Sequence, residues 1–323
     1  MIRPRRLDDV TVQVLVLSAI LLVLVVATGL ANANFFRPVT LRGVVRDTAI
    51  LGLLALGQAV VILSGGIDLS VGSVLGFAGV VGLLLANRVE GISLWAIAAA
   101  LVLLGVVIGL AHGLLICLLD LQPFLVTLCS LLVFRGFSRA LTGDRIVSFD
   151  PESHPALAAI GQGSWLGLPI PAYVLLAVLA VLGFFLQFTV PGRYLFALGA
   201  NAEAARFSGV PVKRLRVASY VLCSVVTVLA ALLEAGSIGS VTPSTAGSTY
   251  EMYAITAAVL GGCSLRGGKG SVIGVIIGAA VLRVLRSSVI FLDISTYWTL
   301  AVTGLVLLAA VVTDALVRRR RPS

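Results

Sequence analysis

One stretch of the chain places hydrogen-bonding side chains inside an otherwise apolar segment of membrane length. Residues 57–76 read GQAVVILSGGIDLSVGSVLG, so the run is broken by Gly65 and Gly66 and carries a carboxylate at Asp68. A charge and a helix break at membrane depth are costly unless they are buried in protein or line a watery path. The segment therefore favours a role in transport.

Two roles are open for the polar groups of this segment. The first is hydrogen bonding to the hydroxyl groups of a solute along a path through the protein. The candidates for such a path are Gln58, Ser64, Gly65, Gly66, Asp68 and Ser70. The second role is structural, because aspartate is a favoured N-cap and a helix can begin at Leu69 or Ser70. The sequence favours the structural role for Asp68, as a cap and hinge, and leaves both open.

The elements that must hold this segment are apolar throughout. Hydrophobic residues make up 59% of the 323 residues and charged residues 11%, which is outside the range of soluble domains. Ten apolar runs are each about long enough to cross the hydrocarbon layer as a helix. They lie at about 11–31, 48–64, 69–87, 94–119, 123–141, 172–190, 216–236, 252–264, 271–290 and 297–314. We predict an all-α polytopic membrane protein of about ten transmembrane helices, forming a single transmembrane domain over residues 1–323.

The basic residues lie mostly at the ends of these spans, as the positive-inside pattern places them. Arg3, Arg5 and Arg6 precede the first span, and the arginines at 318–321 follow the last. Both termini are therefore predicted to be cytoplasmic, which an even number of spans allows. The net charge of +9 is not gathered on one amphipathic face. That distribution argues for membrane lipid as the surroundings and against a nucleic-acid partner.

The sequence offers no arrangement of residues suited to catalysis or metal binding. Neither His112 nor His154 has a second ligand at metal spacing, and the four cysteines lie in or beside spans. Gly268 and Lys269 are similar to the end of a phosphate-binding loop, but Cys263 stands where that loop needs its first glycine. We predict no catalytic residue, no metal site and no cofactor held by this chain.

Acidic residues and glycines at the spans have plainer interpretations. Glu234 ends the seventh predicted span and Glu251 opens the eighth, where charges usually reach the membrane surface; a ligand role is the alternative. Gly105, Gly109 and Gly113 recur at four-residue spacing, which predicts close packing of helices.

Residues 192–216, GRYLFALGANAEAARFSGVPVKRLR, form the longest polar stretch on the predicted cytoplasmic side. Asn201 is a good N-cap and Gly209 a good helix end. Glu203 in the first turn and Arg206 near the end suit the helix dipole. Connections between helices are usually short and need no helix of their own. A long connection that contains a helix is therefore typical of an interaction site. Anchoring in the membrane surface is the alternative.

Three motifs, in this order, resemble one transporter family. They are ILSGGIDLSVGSVLG at 62–76, ALGANAEAARFSGVPV at 197–212 and YEMYAITAAVLGGCSLRGGKGSVIG at 250–274. Together they are similar to the permease subunits of ribose-type ABC sugar importers. The likeness extends from about residue 35 to residue 314.

The resemblance implies a permease that works as a pair, homodimeric or with a similar permease, over two ABC ATPase subunits. Those subunits would bind ATP and Mg, and a periplasmic or lipid-anchored sugar-binding protein would deliver the substrate. The implied location is the bacterial cytoplasmic (inner) membrane. Residues of about 192–215 are implied to be a cytoplasmic coupling loop with a short coupling helix. Its implied coupling residues are Gly199, Asn201, Glu203, Ala204, Arg206 and Gly209.

The implied substrate is a monosaccharide, a ribose-like pentose or a hexose. Another small polar solute, such as a nucleoside or a furanose signal, is an alternative within this class. Arg283 and Arg286 depart from the family's usual pattern and bear on which solute is carried. An ion-coupled secondary transporter is a further alternative. It would need several buried acids, whereas Asp68 alone is clearly deep in the sequence pattern.

Overall fold

The structure is a computed structural model that describes residues 9–295, 297–298, 301–302, 304–305, 308 and 312. Over these residues the chain folds into twelve α-helices, one 3-10 turn at Ala33–Phe36 and four short strands. The helices are α1 Asp9–Ala31, α2 Pro38–Leu63, α3 Val71–Arg88, α4 Leu94–Leu118, α5 Pro123–Thr142, α6 Pro155–Gln162, α7 Ile170–Phe188, α8 Val190–Ala200, α9 Ala202–Phe207, α10 Val212–Ile238, α11 Tyr250–Leu260 and α12 Val272–Phe291. The strands are β1 Val147–Ser148, β2 Ser164–Trp165, β3 Leu168–Pro169 and β4 Ser240–Val241.

Eight helices in the described part of the chain are long and apolar enough to cross a membrane: α1 to α5, α7, α10 and α12. The predicted class, an all-α polytopic membrane protein, is confirmed. The predicted span at 252–264 is instead the eleven-residue α11. The predicted span at 297–314 lies largely outside the described residues. The side of the membrane on which the termini lie stays a prediction.

Two boundaries differ from the apolar pattern for identifiable reasons. Helix α2 begins at Pro38, well before the predicted start at 48, because proline suits the first helical turn. The charged residues Arg42, Arg46 and Asp47 follow, so the apolar pattern begins only after them and misses the first turns of the helix. Helix α8 occupies part of the polar connection predicted at 192–215, so the loop carries two helices, α8 and α9, rather than one.

Helix α2 lies at the centre of the bundle. All of its residues from Ala49 to Leu63 are buried, and it packs against α7, α10, α11 and α12. The first helix, α1, and α5 leave most of their apolar side chains exposed. Apolar side chains on the outside of a bundle suit contact with lipid tails, which are as apolar as the side chains themselves.

The glycine spacing on α4 has the predicted use. Side-chain carbons at Gly105, Gly109 and Gly113 would overlap or crowd the α10 backbone near Ser224, Val221 and Val217. The two helices therefore approach each other more closely than larger residues would allow. The prediction of a packing role for these three glycines is confirmed.

The segment 242–249 between β4 and α11 returns into the bundle without forming a helix. Strand β4 pairs with β1, and Gly247 then lies against Gly72 in the first turn of α3. Arg135 on α5 donates from Nη1 to the carbonyl oxygens of Pro243 at 3.2 Å and Ala246 at 2.5 Å. Irregular backbone at membrane depth is tolerated where protein surrounds it and its carbonyl groups are satisfied. We call residues 242–249 the re-entrant segment.

Candidate functional site

Both interruptions of the apolar runs meet the last turn of α8 at one end of the bundle. Leu63 ends α2, and its carbonyl oxygen accepts a hydrogen bond from the N–H of Gly268 at 3.1 Å. Gly199 packs so closely that a Cβ there would overlap both that oxygen and the Gly268 nitrogen. We call the contact of Leu63, Gly199 and Gly268 the coupling junction. Because packed interiors transmit displacement, a shift of α8 reaches both interruptions.

Glycine is required at the junction for its backbone conformation as well as its size. Gly268 has a φ of +72°, in the left-handed region that other L-residues rarely adopt. This position lies in GGCSLRGGKG, the motif that failed as a phosphate-binding loop. Its glycines instead allow the second interruption to contact α2 and α8.

Helix α9 presents most of its residues away from the bundle. Asn201 accepts a hydrogen bond from the Ala204 N–H at 3.0 Å, which confirms the predicted N-cap. Glu203, Ala204 and Arg206 are exposed. Gly209, with a φ of +81°, allows the chain to turn after the helix. The predicted coupling residues therefore lie on α9 and at its two ends, except Gly199, which lies in the last turn of α8. Their role in coupling stays a prediction.

The sequence analysis missed Phe207, which closes α9. Its side chain is 83% exposed, next to the charged side chains of Glu203 and Arg206. Aromatic residues and arginine are both enriched at protein interfaces, so Phe207 and Arg206 suit contact with a partner. The position of Phe207 at the end of a capped helix was the available signal.

Asp68 forms a closed hydrogen-bonded turn at the first interruption. Its Oδ1 accepts from the Ser70 N–H at 2.8 Å and from the Ser70 hydroxyl at 2.6 Å. The Gln58 amide, oriented so that both its ends are satisfied, donates to the Asp68 carbonyl oxygen at 3.0 Å and accepts from the Asp68 N–H at 3.2 Å. All three side chains are buried. Asp68 thus has a structural role, although Ser70 occupies the N-cap position of α3.

The other predicted path residues also serve the turn. The Ser64 hydroxyl donates to the Val61 carbonyl oxygen at 2.7 Å, and the Gly66 N–H donates to the same carbonyl at 3.0 Å. Gly65 is exposed, whereas Ser64 and Gly66 are buried. The structure brings the six residues together, but they line neither of the two cavities described below. Contact of these residues with a solute stays a prediction.

His112 is a packed histidine, as expected, but its neighbours were not expected. Its Nε2 lies 2.8 Å from the Ser130 hydroxyl oxygen, and its Nδ1 lies 3.8 Å from Asp68 Oδ2. Nδ1 itself has no hydrogen-bond partner. The imidazole therefore links α4 and α5 beside the turn at Asp68.

A cavity of about 510 Å³ lies toward the opposite end of the bundle from the coupling junction. We call it the distal cavity. It is bordered by α3, α10, α12, the start of α11 and the re-entrant segment. Its polar lining includes Glu234, Thr242, Thr245, Tyr250 and Arg286. A cavity of this size suits a small polar ligand.

Glu234 and Glu251 lie near helix ends, as the sequence indicated, but Glu251 is buried and Glu234 half-buried in the protein rather than exposed. Glu251 is 8% exposed. Glu234 Oε1 accepts a hydrogen bond from the Tyr250 hydroxyl at 3.0 Å, while Oε2 is buried without a partner. The predicted seventh span ended at 236, whereas α10 continues to Ile238 and holds Glu234 against α11.

Long helices interrupted within the bundle, around cavities with polar linings, define this chain as a membrane permease. Residues 40–311 match the family described as branched-chain amino acid transport system / permease component. The chain belongs to this permease family.

Individual relatives agree with this membership. The chain is 37% identical to the ribose import permease protein RbsC of Escherichia coli K12 over 295 residues, 91% of each protein. It is 36% identical to RbsC of Bacillus subtilis, covering 91% of this chain and 90% of that protein. It is also 36% identical to the L-arabinose transport system permease protein AraH of E. coli K12, covering 90% and 87%. The predicted resemblance is confirmed. No solved structure gave a significant match.

Proposed function

We propose that this chain is the membrane-spanning permease subunit of an ABC importer that moves a monosaccharide into the cell. The relatives named for ribose and arabinose import support a sugar as the substrate. The chain would lie in the bacterial cytoplasmic membrane and pair with a second permease, identical or similar. Partner ATPase subunits would bind ATP and Mg, so that this chain performs transport and no hydrolysis.

The observation that carries this proposal is the coupling junction. Helix α9 is exposed, with Phe207 available for a partner, while Gly199 next to it contacts Leu63 and Gly268. A protein that docks on α9 and changes shape would therefore act on both interruptions at once. An ATPase subunit with ATP-driven closure is the partner that this arrangement suits.

The transport cycle would be alternating access, in which the permease opens to one side at a time. The distal cavity would receive the sugar from an extracytoplasmic binding protein. Movement of α2, α3 and α12 about their interruptions would then close this cavity and open a path at the junction end. The binding protein would supply most of the selectivity.

The test is purification of the tagged chain from its native membranes, with identification of the proteins that accompany it and uptake measurements in proteoliposomes. We expect an ATPase with a Walker motif and a sugar-binding protein to accompany the chain. We also expect uptake of D-ribose or L-arabinose that requires ATP on the side of the liposome membrane where the ATPase lies. Uptake that continues without ATP and depends on an ion gradient would overturn the proposal in favour of a secondary transporter.

A further inference from the structure

A second cavity of about 400 Å³ adjoins the distal cavity and is lined by an unusual set of charges. We call it the side cavity. It lies between α2, α10 and α12 and shares Glu234, Tyr250 and Arg286 with the distal cavity. Its charged lining residues are Arg46, Asp47, Glu234, Arg283 and Arg286. Three guanidinium groups therefore face two carboxylates.

One ion pair, between Arg46 and Asp47, lies in the lining of this cavity. Arg46 lies 3.7 Å from Asp47. Among the described residues, neither Arg283 nor Arg286 has a carboxylate oxygen within 4.0 Å. Arg283 is 6% exposed, and its Nε has no hydrogen-bond partner. The Glu234 carboxylate is near enough to interact electrostatically with Arg283 and Arg286, but it forms no ion pair within 4.0 Å with either. Because a buried charge is stable only when it is compensated, three guanidinium groups beside two carboxylates leave a net positive charge in the lining.

Arg283 is nevertheless held in place. Its guanidinium carbon lies 5.2 Å from the centre of the Tyr250 ring, and the Tyr250 hydroxyl donates to Glu234 Oε1. The guanidinium group also interacts with the Tyr250 hydroxyl through an N–H group, and its Nε–H remains without a partner. The other carboxylate oxygen of the pair, Glu234 Oε2, is buried and free to accept.

We propose that the side cavity binds the anionic group of a hydroxylated solute, a carboxylate or a phosphate carried on a sugar skeleton. Arg283 and Arg286 bind the anion, because guanidinium groups pair with both in charge-assisted hydrogen bonds. Glu234 Oε2 accepts a hydrogen bond from a hydroxyl of the same solute. The inference rests on the proposed function as a sugar permease and extends its substrates to sugar acids or sugar phosphates.

The experiment measures binding to the purified full-length chain in detergent by thermal shift and isothermal titration. The probes are D-glucuronate for the carboxylate, D-ribose 5-phosphate for the phosphate, and D-glucose and D-ribose as the neutral counterparts. The variants are Arg283→Gln and Arg286→Gln, with Arg145→Gln as the matched control, because Arg145 is exposed and lines neither cavity. Sodium chloride at equal ionic strength controls for general screening.

We expect one or both anionic probes to bind, and each cavity variant to weaken that binding by about tenfold or more, with Arg145→Gln unchanged. Binding of D-glucuronate alone identifies a sugar acid, and binding of D-ribose 5-phosphate alone identifies a sugar phosphate. Equal binding of charged and neutral probes, or no binding of either anion to the unmodified chain, overturns the inference. The comparison on the unmodified chain remains decisive if a variant does not fold.

ATP-dependent uptake of neutral D-ribose separates this inference from the proposed function. If the complex takes up D-ribose with ATP while the anionic probes do not bind, the side cavity has another role and the importer stands. If the anions bind but no solute is taken up with ATP, the proposed coupling to an ATPase fails.

Discussion

At Asp68 the charge and the hydrogen-bond acceptor can be separated by substitution. Ser70 uses only Oδ1, and an asparagine keeps an oxygen there while removing the charge. A comparison of alanine and asparagine at this position therefore distinguishes the structural role of Asp68 from contact with a solute. Loss of the charge would also change the surroundings of His112, because its Nδ1 lies 3.8 Å from Asp68 Oδ2.

We predict that Asp68→Ala lowers the free energy of unfolding by about 1–3 kcal/mol, because two buried donors of Ser70 lose their acceptor. Asp68→Asn should keep most of the stability and of the uptake. The measurements are thermal unfolding of the purified chain and ATP-dependent uptake. Glu90→Ala, at an exposed position, is the control. Full stability of Asp68→Asn with complete loss of uptake would instead assign Asp68 to the substrate path.

At the scale of elements, the proposed roles of α9 and the coupling junction can be tested separately. Exposed side chains on α9 face outward, whereas Gly199 faces the interruptions through backbone contacts. Substitutions on α9 should therefore affect docking of a partner. Substitutions at Gly199 should affect what the docked partner can move.

For the docking surface, we predict that Glu203→Lys and Gly209→Trp abolish uptake while leaving membrane insertion intact. The first reverses a charge in the first turn of α9, and the second places a bulky side chain at a φ of +81°, which strains the turn. Co-purification of the ATPase is the measurement, with uptake beside it. Glu152→Lys, on an exposed connection elsewhere in the chain, is the matched control. Normal uptake in both variants would contradict docking on α9.

For the junction, we predict that Gly199→Ala reduces uptake strongly but still allows the ATPase to co-purify. The added Cβ overlaps the Leu63 oxygen and the Gly268 nitrogen, so α8 must move away from both interruptions. Gly43→Ala is the control, because a Cβ at that α2 glycine meets nothing within 4 Å. Wild-type uptake by Gly199→Ala would mean that the contact transmits nothing.

At the scale of the whole molecule, two kinds of feature could be predicted from the sequence: the long helices, which the bilayer requires, and local features such as helix caps, which depend on neighbouring residues. Apolar runs predict the long helices because lipid admits little else, and the Asn201 cap forms within one turn. The pairing of Glu234 with Tyr250, of Asp68 with His112, and of Gly199 with Leu63 depends on how separate helices pack. The partners of Glu234 could not be predicted for this reason, since they come from α11 and α12 rather than from its own span.

The direction of transport depends on which end of the molecule faces the cytoplasm, and this can be measured. The basic residues predict that the end holding α9 is cytoplasmic, so the distal cavity would face a binding protein outside. We predict that a cysteine at Ser153 reacts with a membrane-impermeant maleimide in intact cells, whereas a cysteine at Ala204 reacts only after the membrane is opened. Both positions are solvent-accessible in the structure, Ser153 in the connection before α6 and Ala204 on α9. The exposed native Cys129 is first replaced by serine, and labelling of that parent gives the background. Reaction at Ala204 in intact cells would place α9 outside, where no ATP-driven partner could reach it, and would exclude the importer whatever the relatives transport.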